Sequence, residues 1–256
     1  MKIHSSYALM LIFLFAFVTC KKDKKTIKEA HFSYLITLSK DLTLKRVENL
    51  ISNELNYVKV FDYFKDSIVV TQNFIQNNFL IKSTYFLNNK GLAATCVDSI
   101  FSFSQLTQVS TYEFKYDNDD YKTSSVKAWK IYKNGNFDYS GIDSVNFNIE
   151  SGNTISDYGS SLDCSFFYDF NSLENKIDIN TFLGTFNGRM NKNLIIAYHS
   201  NCHSSSGTTP ASSNYEYILN DSNMVVQKID NYISSQHKGD QINNEKRISD
   251  FHYFFK

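Results

Sequence analysis

Short segments in which aromatic and polar residues alternate recur along the chain, each followed by a polar turn. In Glu-Phe-Lys-Tyr at 113–116 the aromatic residues Phe114 and Tyr116 are two apart, and Tyr-Glu-Tyr at 215–217 repeats the spacing. A period of two places alternate side chains on one face of a strand. The pattern therefore predicts a series of β-hairpins. The turns predicted after these strands are Asn88–Gly91, Asp117–Asp120, Glu150–Asn153, Asp169–Ser172 and Asn220–Asn223.

The composition supports strands over helices. Aromatic residues make up 16% of the chain, and such residues are enriched in strands. There is one proline against 27 asparagines, so asparagine must supply most turns. Asn134-Gly135 is a pair that suits a type I′ hairpin turn. We therefore expect a mainly β protein, an antiparallel meander of successive hairpins forming one large curved sheet or open barrel-like β domain.

Individual elements can be assigned along the chain. The first strand is predicted at His31–Leu38, and residues 42–55, which also contain helix-like spacing, are assigned as strand. A firmer hairpin joins Tyr57–Phe64 to Ser67–Thr71 through the turn Lys65–Asp66. The remaining expectations are a mobile loop at Ser200–Asn214, a polar loop at Gln236–Glu245 and a closing edge strand at Ile248–Phe255.

The N-terminus predicts export. A basic Lys2, an apolar run from Ala8 to Val18 and a small residue before Cys20 form the three parts of a signal peptide. Eleven apolar residues are too short to span the ~30 Å core of a bilayer. We expect residues 1–19 to be the lipoprotein signal peptide, 20–30 a lipidated cysteine with a charged tether, and 31–256 one β-rich domain.

Residues 17–20, Phe-Val-Thr-Cys, resemble a bacterial lipoprotein box, in which the cysteine is cleaved free and acylated. Two or three acyl chains hold a protein on a bilayer stably. Lipidation of Cys20 is therefore the leading expectation, with plain secretion or a retained anchor as alternatives. The partner expected on this basis is the membrane itself, and the expected location is the cell envelope, at the outer membrane.

Four segments resemble, in order, recurring pieces of a family of Bacteroidota envelope lipoproteins that carry a β-rich domain of unknown function. The similarity covers about residues 42–255 and implies fold and location without an activity. The segments are Thr84–Leu92 (tyrosine strand and Asn-x-x-Gly turn), Tyr112–Tyr121, Ile149–Ile155 (Gly-Asn turn) and Phe186–Leu194 (a Gly-Lys-x-x-Lys-Asn-Leu-like segment).

Charge and cysteine content limit the possible functions. The whole chain has 26 basic and 26 acidic residues, with no basic excess for nucleic acid. Besides Cys20 there are three cysteines, so at most one intramolecular disulfide can form among Cys96, Cys164 and Cys202. Burial of Cys96 and Cys164 as small apolar residues is the favoured interpretation over a bridge between those two.

Candidate sites are few, and no motif for catalysis, nucleotide or cofactor binding is present. His199, Cys202 and His203 have zinc-ligand chemistry, but adjacent residues of a strand point to opposite faces. The acidic run Asp117, Asp119 and Asp120 fits a turn better than a calcium loop. Trp129 is either an exposed platform for a sugar ring or a core residue that shares a face with Ile131.

The leading hypothesis is a membrane-anchored, non-enzymatic envelope lipoprotein that binds an envelope protein or a glycan through a β-sheet face. The ligand-binding residues are unknown, and no catalytic residue, metal or cofactor is expected. The alternative is a secreted, glycan-directed hydrolase without a recognisable motif. Convergent carboxyl groups with perturbed pKa values would favour the hydrolase.

Overall fold

The computed structural model is almost entirely β. It describes residues 28–159, 164–177, 179, 182–183, 185–189, 191–204, 207–235 and 242–255. Within them no helix is long and apolar enough to cross a membrane. The strands are β1 (Lys28–Leu38), β2 (Leu44–Ile51), β3 (Glu54–Tyr63), β4 (Ser67–Phe74), β5 (Phe79–Leu87), β6 (Ala93–Ser102), β7 (Gln105–Tyr116), β8 (Lys122–Lys133), β9 (Asn136–Glu150), β10 (Asn153–Gly159), β11 (Cys164–Glu174), β12 (Asn193–Ser204), β13 (Gly207–Leu219), β14 (Val225–Ser235) and β15 (Ile242–Phe255), with one 3-10 turn at Thr185–Asn187.

These strands form a single closed barrel in which each strand pairs with its neighbours in sequence. Hairpin connections reverse the direction at every step, so the first and fifteenth strands run the same way. The barrel accordingly closes with a parallel pair, in which Tyr34 of β1 lies opposite Phe251 of β15. The expected antiparallel meander is confirmed, and the structure shows that it closes completely.

The two ends of the barrel differ. At one, here called the closed end, lie the turn Ser39–Thr43, the short turn Lys65–Asp66 and the segment 175–192 between β11 and β12. At the other, here called the open end, lie the turns before β3, β5, β7 and β9 and the start of β1 at Lys28.

The hydrophobic core fills the closed end. Strand residues such as Ile36, Val47 and Phe61 pack with Phe182 and Phe186 of segment 175–192, which enters the barrel there. Phe186 meets Tyr85 edge to face at 4.9 Å between ring centroids. Burying such aromatic and aliphatic groups supplies the main stabilising term of folding, so the described residues Phe182 and Phe186 of this segment are part of the core.

Four closed-end turns share one geometry. In each, the backbone amide of the first residue donates to the carbonyl of the fifth, and the amide of the fourth donates to the carbonyl of the first. The side-chain oxygen of the first residue accepts from the amide of the fifth. The fourth residue has a φ between 56° and 78°, which Gly, Asn and Asp tolerate best. This explains the recurring Asx turns of the sequence. The turns are Ser39–Thr43, Asn88–Leu92, Asp117–Tyr121 and Asn220–Met224.

Inward tyrosines at this end tie paired strands together. Tyr116 of β7 donates to the carbonyl of Ala93 in β6 at 2.8 Å, and Tyr217 of β13 donates to Ile195 in β12 at 2.6 Å. Tyr63 and Tyr253 make equivalent bonds to the start of the preceding strand. The recurring tyrosine strands of the sequence therefore have a structural role, because each hydroxyl satisfies a carbonyl inside the barrel.

Most sequence-based element predictions are confirmed. The hairpin around Lys65–Asp66 forms, and Asn134-Gly135 turns with φ values of 52° and 79°. Of the stretch 42–55 assigned as strand, 44–51 form β2, but Ser52 and Asn53 turn the chain and β3 begins at Glu54; β1 begins at Lys28, within the tether predicted to extend to residue 30.

Three predictions are wrong. Asp169–Ser172 is not a turn, since β11 continues to Glu174, and Ser200–Asn214 is mostly the paired strands β12 and β13. Residues 248–255 are not an edge strand, because β15 pairs with both β14 and β1. Of the polar loop predicted at 236–245, residues 242–245 are strand, and 236–241 lie outside the described residues.

The outer face of the barrel is mixed in polarity. Charged residues stand near the middle of outward-facing rows, among them Glu48, Lys82 and Lys246. Serine, threonine and asparagine alternate with single apolar residues such as Ile142. Across the described strands, the outer face therefore lacks the continuous apolar band, about 25 Å tall, of a barrel embedded in lipid.

Candidate functional site

The inner face of the barrel carries the aromatic residues that the sequence pattern grouped. Phe114 and Tyr116 are half-buried and inward, whereas Glu113 and Lys115 are exposed and outward. Tyr215 and Tyr217 likewise alternate with the exposed Glu216. The predicted parity is confirmed, and the aromatic face is the wall of the barrel interior rather than an outer surface.

A cavity of about 450 Å³ lies against the inner face of β9–β13. A pocket of this size accommodates a small organic ligand, for which roughly 300–1,000 Å³ is usual. Five aromatic rings, one carboxyl group and two side-chain amides surround it, a combination that offers flat apolar faces together with hydrogen-bonding groups. These residues are Phe147, Phe166, Tyr168, Tyr198 and Tyr215, with Asp157, Asn175 and Asn191; Thr154, Leu194 and Ile195 complete the lining.

Asp157 is the acid of this cavity. Asp157 of β10 lies opposite Phe147 of β9 on one side and opposite Phe166 of β11 on the other. Its carboxyl group is therefore placed among aromatic rings. The Tyr168 hydroxyl donates to it at 2.8 Å. Burial raises the pKa of Asp157, and the hydrogen bond from Tyr168 partly opposes that shift because it stabilises the carboxylate.

The opposite side of the cavity is formed by stacked tyrosines. Tyr198 and Tyr215 have ring centroids 6.2 Å apart and planes inclined by 28°. The Lys228 ammonium lies 3.9 Å from the Tyr215 ring centroid. This cation holds one face of the Tyr215 ring through a cation–π contact.

Asn175 provides a hydrogen-bond acceptor that the described part of the chain leaves unused. Its side-chain oxygen is buried, and no described residue donates to it. Its backbone amide, by contrast, donates to the Lys192 carbonyl at 2.9 Å and so fixes the residue in place. A buried oxygen without a donor costs about 1–3 kcal/mol, and because no solvent-sized group reaches this oxygen, a ligand would contact it only after the side chain moves.

The facing wall, formed by β5–β9, is more self-contained. Cys96 donates to Asp98 at 3.3 Å, and burial raises the pKa of the Cys96 thiol. Trp129 is half-buried and points inward on the same face as Ile131. This agrees with the second of the two predicted alternatives, in which Trp129 shares a buried face with Ile131. Its indole lies over Gly141, where a Cβ would overlap the ring. The ring also meets Tyr139 edge to face, so both sides of the indole are engaged by the protein.

A larger groove of about 950 Å³ runs across the closed end. Its rim is charged, but Lys90 pairs with Asp120 at 2.9 Å and the Arg189 guanidinium lies against the Tyr121 ring. Its acid Asp41 is fully exposed, and hydrogen bonds from Ser39 and Thr43 lower its pKa. One ion pair and one guanidinium of the groove are thus already engaged within the chain, and we consider the tyrosine cavity the better-organised site.

The zinc hypothesis at His199 and Cys202 is wrong. Cys202 lies opposite Cys164 and forms a disulfide with it, so no thiolate remains to bind a metal. His199 is exposed on the outer face, 3.9 Å from Asp169. The described residues contain no cluster of His, Cys, Asp and Glu that could hold a metal ion. The side chain of His203 lies outside the description.

The other predicted positions are also located. Asp117 accepts amides within a turn, and Asp120 pairs with Lys90, as a plain acidic turn requires. Cys96 is free and buried, as predicted, whereas Cys164 is buried and disulfide-bonded, a pairing the sequence did not single out. Cys20 and the signal peptide 1–19 lie outside the described residues.

Sequence reasoning missed the residues of the cavity. Asp157 and Tyr198 occur in strands without a motif, and only barrel closure brings β9–β13 around a common space. The alternation of the sequence was enough to predict that Tyr168 and Tyr198 point inward. It could not predict which inward residues line a cavity, because that depends on where the described residues of segment 175–192 pack.

The fold thus defines a closed meander barrel with a plugged end and an internal cavity. A solved structure of a porin-like protein from Bacteroides uniformis is similar to it, with a TM-score of 0.51 and 17% sequence identity. The match covers 81% of this chain and 85% of the other. At that identity the similarity concerns the fold alone. No protein-family model and no curated protein sequence matches the chain.

Proposed function

We propose that this protein is a lipid-anchored, non-enzymatic envelope protein that binds a glycan on the inner face of its barrel. The observation that carries the proposal is the cavity of about 450 Å³ lined by aromatic rings, Asp157 and the amides of Asn175 and Asn191. Sugar rings have flat C–H faces that pack on aromatic rings, and hydroxyl groups that need donors and acceptors. Asp157, which accepts one hydrogen bond from Tyr168, has further acceptor capacity for such a hydroxyl.

The same cavity favours binding over the hydrolase alternative. Glycoside hydrolysis ordinarily needs two carboxyl groups about 5–10 Å apart on either side of the scissile bond. Asp157 is the one carboxyl group among the described residues that line the cavity. Its raised pKa suits an acid, whereas the nearest other inward acid of this wall, Asp230 opposite Tyr215 on β14, is not among the residues that line the cavity.

Two observations support export and anchoring. A disulfide between Cys164 and Cys202 is typical of proteins that fold outside the reducing cytoplasm. The charged outer face, with Glu48 and Lys82 in mid-strand, suits a barrel that stands in water. Attachment would then come from acylated Cys20 rather than from membrane-spanning strands, at the outer membrane of the envelope.

Glycan binding is tested with residues 21–256, which lack the signal peptide and Cys20, by calorimetric titration with a panel of neutral mono- and oligosaccharides. Replacing Tyr215 by alanine removes one ring of the cavity and is expected to weaken binding at least about tenfold, or ~1.4 kcal/mol. Tyr158→Ala, which removes an outward and half-exposed tyrosine, is the matched control. Equal affinities for the two variants, or no binding of any saccharide, would reject the proposal; an envelope protein would then be the ligand to seek.

The anchor is tested by detergent phase partitioning of the protein expressed with its signal peptide. The wild type is expected in the detergent phase, and Cys20→Ala in an uncleaved or aqueous form. A wild type that is wholly soluble, or that retains a free Cys20 thiol, contradicts lipidation.

A further inference from the structure

A large apolar side chain is exposed within or beside each of the four described turns at the open end: Ile75 and Phe103 lie in turns, Ile51 ends β2 and Phe137 is near the start of β9. Ile51 is 38% exposed, Ile75 47%, Phe137 60% and Phe103 72%. Since the turns belong to successive hairpins, from β2–β3 to β8–β9, these side chains follow one another along the rim. They are here called the apolar rim. Exposed apolar residues also occur at the closed end, where Leu42, Phe64, Phe254 and Phe255 are exposed, but only at the open end does one lie at or beside every described turn.

Phe103 occupies a turn position that is unfavourable for its residue type. It has a φ of +48°, followed by Ser104 at +64°. Such paired left-handed positions favour Asn-Gly, and the chain uses that pair at Asn134-Gly135. A bulky residue held in this conformation and 72% exposed carries a local energetic cost that packing within the chain does not offset.

The N-terminal part of the chain leaves the barrel at the same end. β1 begins at Lys28 beside the open-end turns, so seven residues separate it from Cys20. At about 3.3–3.6 Å per residue, a fully extended chain keeps Cys20 within ~30 Å of the open end. Lys21, Lys22, Lys24 and Lys25 lie in this stretch and would attract anionic lipid headgroups.

We propose that the apolar rim is a bilayer-contacting surface, with Phe103 and Phe137 entering the boundary between headgroups and acyl chains. The barrel then stands with its open end towards the membrane and its closed end in water. Aromatic side chains are suited to this boundary layer. The inference rests on the membrane attachment of the proposed function, but concerns a surface that the anchor alone does not specify.

The test measures the depth of two labels on vesicles of phosphatidylethanolamine and phosphatidylglycerol. Residues 21–256, which lack Cys20, contain the whole described fold and are held by an N-terminal hexahistidine tag on nickel-chelating lipid, so acylation of Cys20 does not affect the outcome. A polarity-sensitive fluorophore is attached through Ser104→Cys at the open end or Asn118→Cys at the closed end. Cys96 is buried and the other two cysteines are paired, so the introduced thiol is labelled.

The Ser104→Cys label is expected to shift to the blue and to be quenched severalfold more by spin-labelled lipid than the Asn118→Cys label. Adding Phe103→Ser and Phe137→Ser should abolish that difference, whereas Phe64→Ser, a 60% exposed phenylalanine at the closed end, should not change it. Equal quenching at both positions, or no effect of the two rim substitutions, overturns the inference. If Cys20 proved not to be acylated, the result with the tethered protein would be unaffected. Only the lipid anchor of the proposed function would then be contradicted.

Discussion

The disulfide between β11 and β12 offers the sharpest test of the described fold. It joins Cys164 to Cys202 across 38 positions of sequence. In the chain-entropy model a crosslink closing a loop of that length lowers the denatured-state entropy by about 13 cal/mol/K, or ~4 kcal/mol at 25 °C. Against a typical stability of ~5–15 kcal/mol this is a large share. The double variant C164S/C202S is therefore expected to melt ~8–16 °C lower.

The assay is urea unfolding of residues 21–256 followed by circular dichroism, with and without dithiothreitol. Reductant should lower the midpoint of the wild type and leave the double variant unchanged. Thiol titration of the denatured, unreduced wild type should give one thiol, from Cys96. Three thiols, or a loss of stability below about 1 kcal/mol, would refute the pairing or the entropic reasoning.

Two further predictions concern inward residues. Phe114 is half-buried against the core and stacks on Tyr112. Phe114→Ala should therefore cost ~2–3 kcal/mol in urea unfolding, somewhat below a fully buried phenylalanine, and the outward Lys115→Ala should cost under about 0.5 kcal/mol. Equal costs would contradict the assignment of Phe114 to the inner face and Lys115 to the outer face. Asp157 has a folded-state pKa above its ordinary value of 3.8, so its ionisation destabilises the fold at neutral pH and the penalty disappears as the pH falls towards 3.8. Asp157→Asn should therefore raise the melting temperature at pH 7 but not below pH 3.8, and a lower melting temperature at pH 7 would contradict this.

The local rules of the sequence predicted most strands because the recurring units are locally consistent. Asn88 and Asp117 accept the amides of their own turns, and Tyr116 reaches the adjacent strand, so alternation and turn chemistry agree. At Asp169–Ser172 the predicted turn is an irregular stretch of β11: the pairing with β12 shifts register after Asp169 and again before Glu174, and Asn171 accepts from the Leu173 amide without reversing the chain.

Closure and the cavity depend on contacts that sequence periodicity does not encode. The parallel pairing of Tyr34 with Phe251 joins positions more than two hundred residues apart. Likewise, the burial of Phe182 and Phe186 decides which part of the interior is filled, and hence where Tyr198 and Tyr215 line a space. The Cys164–Cys202 bond has the same origin, since β11 and β12 bring the two residues opposite each other.

The apolar rim and the tyrosine cavity together narrow the kind of glycan to consider. If the open end rests on the bilayer, a ligand that reaches the inner face from that end comes from the membrane, so a sugar carried on a lipid has direct access while a free sugar enters from the closed end. There the groove and the tyrosine cavity share Asn175 and Asn191, beside the core residue Phe186. A glycolipid headgroup presented in vesicles should therefore bind the tethered protein more tightly than the same saccharide free in solution. Its binding should weaken with Phe103→Ser as well as with Tyr215→Ala, whereas the free saccharide should respond to Tyr215→Ala alone.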